Sequence, residues 1–130
     1  MNETLCSPTL KEFYLGDNPF SSYMKNKREE KGFHWTEVFD EAGVSRSYGF
    51  KLVDGFKRTR QRDTILKICI AGGFSVRDTS RALQFSDMSN LRPLHPRDAV
   101  IIRAIQSGIR NIDEINELLE SKGQIPLTLC

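Results

Sequence analysis

The chain has 130 residues, 38% hydrophobic and 28% charged, enough for one domain with a core of its own and too apolar for a disordered chain. Nineteen Lys and Arg against seventeen Asp and Glu leave +2 at pH 7, too mild a bulk charge to mark a nucleic-acid binder by itself. No apolar run approaches the ~18 residues of a membrane span, so no membrane partner is expected.

The start of the chain lacks the basic residues and apolar stretch of a secretory signal. Three widely spaced cysteines, Cys6, Cys69 and Cys130, fit neither a disulfide framework nor a zinc site and suit a reducing, cytoplasmic setting. Cys69 lies within an apolar stretch and is expected to be a buried small hydrophobe.

Residues 1–17 show no sustained period and are expected to form a poorly structured arm, with Leu10, Phe13 and Tyr14 available for packing. Asn18-Pro19 has the form of a helix start, a capping side chain followed by proline. It predicts a first helix over about 20–31 with Phe20, Tyr23 and Met24 inward and Gly32 as its stop. A second helix opens at His34-Trp35-Thr36-Glu37 and ends near Ala42-Gly43. Ser45 caps a third, carrying Tyr48, Phe50, Leu52 and Val53 and stopping at Gly55.

A basic loop follows, Phe56-Lys57-Arg58-Thr59-Arg60-Gln61-Arg62. Asp63 is expected to cap a fourth helix with Ile65, Leu66, Ile68 and Cys69 inside. Ser75-Val76-Arg77-Asp78 resembles a capping box for a fifth helix, with Val76, Ala82 and Leu83 as core positions. Residues 85–95 form a connector. Pro96 opens a sixth helix with Ala99, Ile102, Ile105 and Ile109 at helical spacing. Asn111-Ile112-Asp113-Glu114 caps a seventh, lined by Ile112, Ile115, Leu118 and Leu119. No stretch alternates with period two, so the expected fold class is all-α. The predicted division is 1–17 arm, 18–84 main domain, 85–95 connector, and 96–130 helix pair and tail.

Catalytic signatures are missing from the sequence. His34 and His95 have no Cys or carboxylate at ligand spacing, and there is no GxxxxGK[ST] loop, HExxH or GxSxG. Gly72-Gly73 ends a helix where a phosphate cradle would begin one. The carboxylates are expected on solvated helix faces. The sequence therefore points to a non-enzyme without cofactor or metal.

Charge is unevenly distributed. Residues 46–67 hold seven basic residues and two acidic ones, a local +5, whereas residues 111–122 hold four acidic and one basic, a local −3. That asymmetry suits an oriented nucleic-acid binder. Within 35–52, Val38, Ala42, Gly43, Val44, Ser45 and Leu52 give the order a helix-turn-helix needs. A small residue stands at the crossing, glycine at the turn, an apolar residue in the bend, then a cap and an anchor.

The stretches REEKGFHWTEVFDEAGVSRSYGFKLVDG and DTILKICIAGGFSVRDTSRAL resemble the five-helix domain of lambda-repressor-like (Xre-type) transcriptional regulators. The resemblance runs from about Phe20 to Leu83, roughly half the chain, and leaves the last two helices as an extension. It implies duplex DNA as partner, with Arg46, Ser47 and Lys51 of the third helix contacting bases in the major groove. It also implies Trp35 and Thr36 at the start of helix two, and Lys57, Arg58, Arg60 and Arg62 in the loop, as contacts to the DNA backbone. The sequence departs from the family pattern at Gly49, where a branched apolar residue is usual, at Phe50, usually polar, and at Lys27, usually a buried leucine.

A second reading keeps the same fold as a protein-interaction adaptor, with Phe50, Ile102, Ile105, Ile115 and Leu119 as its apolar interface. The last two helices expose more Ile and Leu than isolated helices keep in water. They must pack back on the core or meet a second chain, and a homodimer would supply two half-sites.

Overall fold

The computed structural model describes residues 18–128, and all of its regular structure is helical. The expected arm, with Cys6, and the terminal Cys130 lie outside the described residues. Seven helices follow one another: α1 Pro19–Lys31, α2 Trp35–Ala42, α3 Arg46–Val53, α4 Arg62–Ala71, α5 Val76–Phe85, α6 Pro96–Gln106 and α7 Ile112–Ser121. None is long and apolar enough to cross a membrane.

Most starts are set by local side chains. The Asn18 side chain accepts from Ser21 N at 2.9 Å while Ser21 Oγ accepts from Asn18 N at 3.0 Å, satisfying two amides that the helix itself leaves free. Ser45, Ser75 and Asn111 accept from Tyr48 N, Asp78 N and Glu114 N in the same manner. α4 departs from expectation. It begins at Arg62 after Gln61, which makes no side-chain cap bond. Asp63 falls in the first turn, where its carboxylate takes Arg97 at 2.9 Å through both oxygens.

α4 is the axis of the fold. Thr64 to Ile70 are all buried, because α2, α5 and α7 pack around it. A helix apolar on nearly every side has no solvent face to keep. Cys69 is buried there with a free thiol, as expected. Burial, then the Asp78 charge, pushes that thiol far above its ordinary pKa. Lys67, counted in the basic segment, is only 1% exposed and donates to the Thr128 carbonyl.

α6 and α7 pack on each other and back onto α5 and α4. Ile112, Ile115 and Leu119 are buried within the chain's own core. Ile115 and Leu119 are therefore withdrawn from any protein interface. α6 also sits rotated from the predicted face. It buries Asp98, Ile101 and Ala104, leaving Ile102, Ile105 and Ile109 half-buried.

On that buried face stands Asp98, 0% exposed. It accepts from Arg62 Nη1 at 3.0 Å and Nη2 at 2.8 Å, and from Arg92 N at 3.0 Å. Burial opposes its charge, but Arg62 and Arg92 outweigh that and hold the carboxyl below its ordinary pKa. Asp63, Asp78 and Asp98 thus correct the expectation of purely solvated carboxylates.

The chain after α7 is tied down across the same region. Arg97 donates to the Ile125 and Pro126 carbonyls, Asn116 pairs with Leu127 N at 2.7 Å, and Thr128 N reaches Asp63 at 3.1 Å. Leu127 is buried beneath these bonds.

Candidate nucleic-acid interface

α2 ends at Gly43, whose φ of 72° reverses the chain with no Cβ penalty. Val44 is buried in the turn and Ser45 opens α3. Phe39 of α2, fully buried, is the hinge of this pair. Trp35 stacks on it at 5.3 Å and Phe50 meets it edge-on at 5.1 Å. Gly49 faces the same ring, where an added Cβ would stand 2.7 Å from three ring carbons. The absence of a side chain at Gly49 is what lets α3 approach α2 this closely.

Gly49, Leu52 and Val53 form the buried side of α3, so Arg46, Ser47 and Lys51 are turned outward and exposed. Phe50 is half-buried with its ring packed against Phe39, and Trp35 and Thr36 are likewise half-buried. The two aromatics belong to a cluster around Phe39 and do not form an open apolar surface.

Arg46 is engaged in the free protein. Its Nε and Nη2 donate to Asp40 at 3.1 and 2.7 Å, a pair that is 60% and 56% exposed. The side-chain hydrogen bond and then the charge of Arg46 hold Asp40 below its ordinary pKa. The Asp40–Arg46 pair was not legible in the sequence. Its spacing of six across the turn is no helical period, although a carboxylate just before a turn and an arginine just after it were both visible.

Beyond α3 the chain folds back at Gly55, φ 88°, and the amides of Phe56 and Lys57 donate to the Lys51 carbonyl at 2.8 and 2.9 Å. These bonds set the basic loop beside the end of α3. Lys57, Arg58 and Arg60 are exposed and, with Lys51, form no ion pair among the described residues. Arg62 is corrected as a backbone contact, since its guanidinium is spent on Asp98 and on the Ser89 and Asn90 carbonyls. The basic face is accordingly smaller than the segment charge implies, with Arg62 paired to Asp98 and Lys67 buried.

A second charged cluster joins α1 to α5. Lys27 reaches Asp78 at 3.1 Å, and Lys31 stands 3.8 Å from it. The Tyr23 hydroxyl donates to the Asp78 carbonyl and carboxylate. Burial, then Asp78, pushes that hydroxyl above its ordinary pKa, so it is no ready nucleophile. Among the described residues no group of three or more His, Cys, Asp or Glu is placed to hold a metal ion. Compared with protein-family models, with curated proteins and with solved structures, the chain finds no match in any of the three.

Proposed function

We propose that the chain is a non-enzymatic DNA-binding regulator in which α1 to α5 act as an Xre-type helix-turn-helix domain and α3 enters the major groove. One observation carries the reading: the outward face of α3 holds Arg46, Ser47 and Lys51 and runs directly into the exposed Lys57, Arg58 and Arg60. Arg46 then reads guanine O6 and N7 through the same two-pronged geometry it now gives Asp40, and Lys51 donates to an acceptor nearby. The loop cations hold phosphates without regard to sequence. α2 begins at Trp35 without a side-chain cap bond, so its first amides and the Thr36 hydroxyl suit a phosphate as well. The adaptor alternative is less favoured, because Ile115 and Leu119 are core residues and Phe50 is committed to Phe39.

Salt dependence tests the proposal. Duplex affinity is expected to fall steeply with ionic strength, and Arg60→Ala should weaken all duplexes about equally while reducing the log–log slope by roughly one. Fluorescence anisotropy across a salt series checks this. An Arg60→Ala slope equal to that of the parent would remove the loop from the interface.

A further inference from the structure

We propose that the groove bounded by the start of α1, the α3–α4 loop and the end of α5 binds a small amphiphilic anion, a carboxylate on an apolar chain, and that this ligand opposes DNA. The second half rests on the DNA reading above; the first does not. The groove encloses about 850 Å³, within the range of small-molecule sites. Behind its floor lie the core side chains Phe20 and Ile65, already buried, and its open apolar surface is Phe85, left 37% exposed at the end of α5, with half-buried Met88. Large apolar side chains turned into a concave space gain by covering, at a rate set by the area removed from water.

The rim decides the sign of the ligand. Lys57, Arg58 and Arg60 stand on one wall, against the single carboxylate of Asp87 on the other. An apolar cation would face three like charges, and a neutral apolar molecule would leave them unused. A carboxylate headgroup takes a charge-assisted bond from the guanidinium of Arg58 or Arg60 while its chain covers the floor. A duplex phosphate meets the same rim but cannot follow the chain into the groove. Ligand and duplex therefore draw on the same three cations, and each must weaken the other by the same factor.

The test uses the full chain, with decanoate below its micellar concentration as probe and decanol as its uncharged match, followed by calorimetry and by duplex anisotropy. Decanoate is expected to bind once per chain, roughly tenfold more tightly than decanol. It should displace duplex from the parent protein. Met88→Arg, which fills the floor, should abolish decanoate uptake yet keep duplex binding. Arg60→Glu, at an exposed position, should lose decanoate with the fold intact by circular dichroism. A chain that takes up no decanoate leaves the groove to another occupant, a peptide segment included, and overturns the proposal. So does uptake that ignores both substitutions or fails to distinguish decanoate from decanol. Decanoate and duplex bound together without mutual weakening overturn the antagonism. Decanoate uptake with no duplex binding at all keeps the ligand site and removes the DNA reading.

Discussion

Asp98→Ala is expected to cost the fold about 3–5 kcal/mol, since removing one partner of a buried ion pair strands the other charge. Arg62 would keep its position beneath the 85–95 connector, held by the Ser89 and Asn90 carbonyls, with no carboxylate to face. Arg92 would lose both its amide and its side-chain bond. Urea denaturation measures the loss as a lower midpoint at unchanged slope. Asp98→Asn, which keeps the shape and one acceptor oxygen but turns an NH2 toward an arginine donor, should cost less than the alanine.

The pH dependence follows from the same group. Asp98, Asp63 and Asp78 all have folded pKa values below the ordinary carboxylate range. Their contribution is therefore fully present above the unfolded value of ~4 and is lost as pH falls through the folded values. Asp98→Asn should flatten that acid limb. An acid limb identical in the parent and in Asp98→Asn would show that the pair is not formed.

Gly49→Ala is expected to destabilise by about 1–3 kcal/mol, the cost of overpacking a filled core. Helix propensity alone predicts the opposite, a gain of up to ~1 kcal/mol from alanine in a helix interior. The clash wins because the Phe39 ring cannot retreat, with Trp35 stacked on it and Phe50 against its edge. The added methyl must push α3 away from α2 instead. Thermal unfolding decides the sign, and a raised melting temperature would mean that the α2–α3 spacing is looser than described.

What could be read in the sequence was chiefly what is local. Asn18, Ser45, Ser75 and Asn111 cap helices by bonds that span three residues, so their signal lies within a few positions of the chain. The buried apolar run of α4 was visible for the same reason. Asp98 was not, because Arg62 lies 36 residues away and nothing near Asp98 marks it as buried. The same pair stands on the face of α6 that is buried against expectation, and it takes Arg62 out of the basic loop. Lys67 was obscured similarly, since its partner carbonyl at Thr128 is 61 residues distant. At the candidate site, Arg46, Ser47 and Lys51 came from the resemblance, and all three are exposed on α3. The value of Gly49 was not legible, because it depends on the ring of Phe39 across the turn.

The central claim is that α3 reads DNA, and Arg46→Ala tests it most directly. The purified chain is taken through selection from a random duplex library, and the parent and variant are then compared on the selected duplex and on a scrambled one. The variant, confirmed folded by circular dichroism, is predicted to bind the selected duplex roughly tenfold more weakly and to relax the preference at one base position. Its affinity for the scrambled duplex should change far less. A parent that selects no sequence, or an Arg46→Ala protein that binds both duplexes as the parent does, would contradict the account.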